Sequence, residues 1–428
     1  MTEPQVSYPN PQILPPLPLP PGITSRYLDC SPSSLIFHIL ESGKPSPGQT
    51  KPLILLVHGF PELAYSWRHI LPSLAQQDSG YHVVAMDQRG YGRTHHHKHP
   101  DPIPADTFRP TSLIKDILHI VAVLGYTSVS CIAGHDFGAV TAALCALSRP
   151  DIFHSLVLLS HPFKGAPVLN YSTPKPQAVD MEAELRKLAR PRKHYKWYYC
   201  TSPANNEMTH PTGQPLHSFL RGYFHLKSAD WSGNAPHALQ GWTASELEKM
   251  PRYYIMDSDA GMRENVQRDM SRENASEVQQ KSSRWLSDTE LQVYASEYGR
   301  NTFQGGLNWY AIQTQPAFLS DYEIWAGRKI EVPTCFVAGA KDWGTFQEPG
   351  AVEALESGRA VPKDLYRGTH LIPGAGHWVT QEQAGECVGI IARMAREGSA
   401  GMALGDVVET AKRLSGVDEP AGGKGSKI

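Results

Sequence analysis

Short, predominantly apolar runs recur along the first and last thirds of the chain, at 53–57, 83–86, 129–133 and 334–338, the first two without any polar residue. Alternation would signal a strand with one wet face. An unbroken run signals a strand covered on both faces, as in a parallel sheet between helices. The run at 129–133 passes through a glycine-flanked turn into a small-residue helix at 140–147, a strand–turn–helix unit. Between Ser160 and Gln313 the alternation stops and helical spacing takes over, at 179–189, 216–226, 244–249 and 288–298. The segment 258–281 is polar and poor in aromatics and reads as a surface excursion. No internal repeat is visible.

The turns that end these strands carry the candidate chemistry. Leu53 to Val57 runs into His58-Gly59-Phe60-Pro61-Glu62, where Gly and Pro force a turn whose backbone N–H groups can face a ligand. The strand at 129–133 runs into Gly134-His135-Asp136-Phe137-Gly138-Ala139. Glycines on both flanks let the chain bend sharply and lift the central side chain, as in a nucleophile elbow. The usual occupant is Ser; here it is Asp136. A serine that opened an sp3 carbon electrophile would be left as an ether, whereas a carboxylate forms an ester that activated water can cleave. The substitution points away from esters and peptides, toward epoxides or carbon–halogen bonds. Downstream, Lys341-Asp342 follows the strand at 334–338, and His377 sits on the Gly-rich loop Pro373-Gly374-Ala375-Gly376-His377-Trp378. The order nucleophile, acid, histidine is that of an α/β-hydrolase.

Together these motifs resemble the epoxide hydrolase group of the α/β-hydrolase superfamily. A more specific match is Gly305-Gly306-Leu307-Asn308-Trp309-Tyr310, similar to the Asn-Trp-Tyr sequence of the family's cap. The resemblance covers about residues 26 to 396. It implies an α/β fold, a mostly parallel sheet flanked by helices with an inserted helical cap. The implied layout is an arm at 1–25, core at 26–162, cap at 163–318, core at 319–396 and a tail at 397–428. It also implies that Tyr310 and a second cap tyrosine bind the epoxide oxygen. Tyr195, in His194-Tyr195-Lys196, occupies the expected place, with Tyr198, Tyr199 and Tyr223 as alternatives.

The expected reaction has two steps. Tyr310 and Tyr195 donate hydrogen bonds to the oxygen as Asp136 opens the ring and becomes an alkyl ester. His377, oriented by Asp342, then activates water, while the backbone N–H groups of Phe60 and Phe137 hold the oxyanion. The product is a vicinal diol, and no cofactor or metal is required. A haloacid or haloalkane dehalogenase would use the same nucleophile. Haloacetate dehalogenases place arginines after the Asp, where this chain has Phe137 and Val140. Haloalkane dehalogenases set a Trp N–H next to it, which Phe137 cannot supply. A ligand-binding protein that has lost catalysis is a further alternative. The aromatics of the cap region favour a bulky, apolar small-molecule substrate.

Composition narrows the partners. A formal net charge of −2 leaves no basic footprint for nucleic acid, and no apolar stretch is long enough to span a membrane. Six scattered cysteines form no Cys-x-x-Cys pair and read as thiols of a cytoplasmic protein. His95-His96-His97-Lys98-His99 lacks acidic or cysteine partners at ligand spacing and reads as a solvated loop. Asp87, in Asp-x-Arg-Gly-x-Gly, reads as structural. The Pro-rich stretch 7–22 reads as an extended surface arm, and the chain beyond Gly398 as a loose tail with a short helix at 400–414. Its last residues, Ser426-Lys427-Ile428, differ by one aliphatic residue from the Ser-Lys-Leu peroxisomal address.

Overall fold

A computed structural model describes residues 11–78, 80–97, 103–169 and 179–400. The tail helix expected at 400–414 and the Ser426-Lys427-Ile428 tripeptide lie outside the described residues. The strands in chain order are β1 (Thr24–Cys30), β2 (Leu35–Ser42), β3 (Leu53–Val57), β4 (His82–Met86), β5 (His95–His96), β6 (Cys131–His135), β7 (Leu156–Leu159), β8 (Arg192–His194), β9 (Ile255–Asp257), β10 (Thr334–Gly339) and β11 (Tyr366–Ile372). One sheet runs in the order β1-β2-β4-β3-β6-β7-β10-β11, with β5 paired to β2. From β4 to β11 every pairing is parallel, while β1, β2 and β5 make the antiparallel end.

The apolar runs become the sheet interior for the reason their pattern implies. Every residue of β3, β4, β6, β7 and β10 is buried, and two hydrophobic clusters cover the two faces. Helices Pro110–Val123 and Phe137–Ser148 pack on one side; Ala384–Ala400 packs on the other. All the catalytic candidates on the core emerge from the carboxyl ends of β3, β6, β10 and β11, where a parallel sheet directs its loops to one edge.

The helical stretch supplies Met181–Arg186, Gln214–Lys227, Ala244–Leu247 and Asp288–Asn301, at the places the spacing indicates. The polar segment 258–281 is not a surface excursion. It forms helices Met262–Met270 and Ala275–Ser282, whose Met262, Val266 and Val278 are buried. Its polarity misleads because Asn265 and Asp269 within it are themselves buried, Asp269 paired with Arg252, while Asp257 just before it collects Arg190, Arg192, Arg252 and Arg268. The histidine cluster is likewise not a loop throughout. His95 and His96 pair with Ile36 and Leu35 as β5 and are half-buried. The Pro-rich arm is tied down where it is described: Tyr27 Oη donates to Pro11 O at 2.6 Å and Tyr65 Oη to Pro18 O at 2.9 Å. Leu17 and Leu19 pack against the core. Among the described residues no helix is long and apolar enough to cross a membrane.

Candidate active site

Asp136 sits between β6 and the helix Phe137–Ser148 at φ 50°, ψ −118°. This conformation is sparsely populated for a residue with a Cβ and costs about 1–3 kcal/mol. The flanking glycines make it possible. A Cβ on Gly134 would strike the backbone of Gly138, and a Cβ on Gly138 would strike the carbonyl of Val57. The carboxylate is thereby held in place, and Phe60 N–H donates to its Oδ1 at 3.0 Å. Phe137 begins the following helix, so its own N–H has no intrahelical partner.

His377 faces Asp136 from the loop after β11. Its Nε2 lies 3.6 Å from Asp136 Oδ2, and its Nδ1 lies 3.1 Å from Asp342 Oδ1. Asp342 also accepts the N–H of Gly344 at 2.7 Å, capping a short turn. One carboxylate thus caps that turn and contacts the His377 ring. The three side chains are buried. Burial raises a carboxyl, yet Asp136 is held well below the usual carboxylate range by the adjoining His377, then by Lys227 and His135. For Asp342 burial is again opposed, here by His377 and the Gly344 N–H, and the net direction is down. Both carboxylates are therefore ionised at neutral pH.

Tyr310 is brought in by helix Gln304–Thr314. Gly305 and Gly306 let this helix seat closely: a Cβ on the first would strike the carbonyl of Gly90, and one on the second the ring of Phe60. One turn later the Tyr310 ring stands edge-on to Phe137 at 4.4 Å and to Phe60 at 5.5 Å. Tyr195 opens the helix Tyr195–Tyr199, its ring 5.7 Å from that of Tyr310, and its hydroxyl donates to Gln347 Oε1 at 3.0 Å. Burial pushes both phenols well above 10, with the negative charge of Asp136 adding to the rise. Both remain protonated donors. The Tyr199 and Tyr223 hydroxyls bond each other at 3.3 Å, and Tyr198 donates to Glu207 at 2.6 Å. Asp87 bonds His38, Ala64 N and Arg93 N, away from these groups.

Several supporting residues were not singled out in the sequence. His135 Nδ1 is paired with Glu62, and its Nε2 contacts the carbonyl of His377 at 2.7 Å. Burial alone would lower this imidazole, but Glu62 outweighs it and lifts His135 to about 9. Glu382 accepts the N–H groups of Gly376 and Trp378, on either side of His377, and of Ala229. Gln347 receives Tyr195. Each joins residues far apart in the chain; His135 and Glu62 lie in turns that the sequence marks, whereas Glu382 and Gln347 carry no positional hint.

The α/β-hydrolase fold family model matches residues 52–193. Epoxide hydrolase B of Mycobacterium tuberculosis is 30% identical over 343 residues, spanning 78% of this chain and 89% of that protein. The chain belongs to the epoxide hydrolase family. Epoxide hydrolase A of the same organism is also 30% identical, over 85% of this chain and 94% of its own length. An epoxide hydrolase from an endophytic Streptomyces superposes with a TM-score of 0.65 at 27% identity, covering 88% of this chain and 96% of that one. The α/β-hydrolase fold and the membership of a hydrolase family follow together. Within the family frame, Asp136, Asp342, His377, Tyr195 and Tyr310 form one contiguous, buried constellation.

Proposed function

We propose that this chain hydrolyses an epoxide to a vicinal diol through an alkyl ester on Asp136. The observation that carries the reading is the pairing of a carboxylate nucleophile with two protonated tyrosine hydroxyls. A carboxylate opposite two O–H donors suits an electrophile whose leaving oxygen stays attached and must be neutralised as the ring opens. Asp136 attacks one ring carbon as the C–O bond breaks, and Tyr310 and Tyr195 hold the alkoxide, which takes a proton from one of the two hydroxyls; the proton that His377 later removes from water restores that tyrosine. His377, held by Asp342, then takes a proton from water, and the hydroxide adds to the carboxyl carbon of Asp136. The N–H groups of Phe60 and Phe137 bind the oxyanion, and collapse releases the diol and regenerates the carboxylate. No electrons are exchanged and no group carrier is needed.

The helical segment, with proposed bounds 163–318, acts as the cap that supplies both tyrosines, and its aromatic lining favours a bulky apolar epoxide. The decisive experiment is a panel of aryl and alkyl epoxides and haloacids, scored for diol and halide release. Diol formation from epoxides without matching halide release supports the reading, and faster halide release overturns it. The cytoplasm is the compartment we favour, because all six cysteines stand free. A peroxisomal destination through Ser426-Lys427-Ile428 is the second reading, tested by fusing the last ten residues to a fluorescent protein and looking for puncta.

A further inference from the structure

Lys227 is a charged group beside the catalytic residues that the reaction scheme leaves without a role. It ends the helix Gln214–Lys227 and is 3% exposed. Among the described residues no carboxylate lies within ion-pair distance of its ammonium. Burying an unpaired cation is costly, and the surroundings compensate in an unusual way. Four ring centroids surround Nζ: Tyr254 at 4.9 Å, Tyr223 at 5.3 Å, Trp378 at 5.4 Å and Tyr253 at 5.7 Å. The negative faces of aromatic rings attract a cation without supplying a hydrogen-bond acceptor.

The cage is fastened to the catalytic loop. The carbonyl of Lys227 accepts the N–H of His377 at 2.8 Å, and Trp378 Nε1 donates to Phe224 O of the same helix at 2.7 Å. The Tyr254 wall stands 5.2 Å from the ring of Tyr195. The charge is thus tied to the loop whose imidazole lies between Asp136 and Asp342, and it acts on Asp136 from beyond contact. Like charges in a buried site drive one another toward protonation unless a cation is near. A cation hydrogen-bonded to Asp136 would occupy the lone pairs that must attack. One held back by ring faces acts through space and leaves them free.

We propose that Lys227 is a positioning residue of the epoxide site, a caged cation that keeps Asp136 ionised and its attacking oxygen unbound. The proposal rests on the epoxide reading above. The other titratable groups that face Asp136 are His377, His135, His161, Tyr91, Tyr195, Tyr254 and Tyr310. Burial lowers His161 and raises the four tyrosines, so these five groups carry no charge at neutral pH. His135 is already matched to Glu62. Those facing Lys227 are Tyr223, Tyr253 and Tyr254, and Asp342 bears on the last two.

The test is single-turnover alkylation by styrene oxide across pH in the full chain, for wild type, Lys227→Met and Lys227→Arg. The Met variant should alkylate at least about tenfold more slowly at neutral pH, with the acid limb moved to higher pH, and Arg should restore both. If Met disturbs folding, seen as altered circular dichroism, Lys227→Gln carries the same expectation. A folded Met or Gln variant with the wild-type rate and acid limb would leave Lys227 as cage filling and overturn the proposal. So would a KM increase confined to a carboxylate-bearing epoxide, which would make the lysine a substrate anchor. Failure of the wild type to open any epoxide would defeat the epoxide reading instead, so the two failures are distinguishable.

Discussion

His377 Nε2 stands 3.6 Å from Asp136 Oδ2, beyond hydrogen-bond length but with no residue between them. That spacing suits a base that serves Asp136 only after the carboxylate has become an ester. The His377→Gln variant should therefore alkylate and then stall. Intact-protein mass after mixing with an epoxide should rise by the full substrate mass, on the peptide containing Asp136. Asp136→Ala should show no adduct. Diol formation by the alanine variant, or labelling of a different carboxylate, would remove Asp136 from the role.

The tyrosine pair is tested by removing oxygens. Tyr310 has its ring on Phe60 and Phe137, so Tyr310→Phe keeps the packing and loses only the donor. A hydrogen bond to developing charge contributes about 1.5–3 kcal/mol, so ring opening should slow by at least about tenfold. Tyr195→Phe should act similarly and also free Gln347, and the double variant should leave little ring opening. An undiminished rate in Tyr195→Phe, with a loss in Tyr199→Phe, would transfer the second donor role to Tyr199.

Signals written locally in the chain are legible in the sequence, and those made by distant partners are not. The runs that form β3, β4, β6 and β10 were legible because a strand covered on both faces must be mostly apolar, as β3 is throughout; the half-exposed strands at the sheet ends, such as β1 and β11, carry no such run. Asp136 was legible because its backbone conformation demands glycine at fixed neighbours, a constraint written locally. The segment 258–281 reads as surface because its buried Asp269 is neutralised by Arg252 from outside it, while Met262 and Val266 form only a narrow apolar stripe. Lys227 and Glu382 were silent for a related reason. A charged residue reads as surface unless its partners are known, and theirs are rings and backbone N–H groups more than a hundred positions away as well as nearby.

The buried pair Glu62–His135 should appear in the pH dependence of stability. The pKa of His135 rises from 6.5 to about 9, because the Glu62 charge outweighs burial. A group raised on folding stabilises fully below its unfolded value, and that contribution is lost as pH rises toward 9. Glu62 is lowered, against its own burial and chiefly by His135, so its contribution is present above about 4.5 and is lost on acidification. Wild-type unfolding free energy should carry this His135-linked fall between about pH 6.5 and 9. In Glu62→Gln the fall should vanish, since burial then favours neutral imidazole. Chemical denaturation of both proteins at several pH values decides it, and parallel profiles would show that the pair is not ionised.

Gly306 offers a test that separates helix stability from catalysis. In an exposed helix, Gly→Ala stabilises by about 1 kcal/mol through backbone entropy. Here the added methyl would meet the Phe60 ring at 2.5 Å, against which the helix Gln304–Thr314 is seated. Either the ring or the helix must move, and both touch the reaction: Phe60 carries the N–H bound to Asp136, and the helix carries Tyr310. Gly306→Ala should lower Tm instead of raising it and slow ring opening by about tenfold or more. Because the damage acts through the placement of Tyr310, adding Tyr310→Phe should cost less in the Gly306→Ala background than in wild type. Strict additivity of the two rate losses would mean that the glycine matters for packing alone and that Tyr310 is not positioned through it.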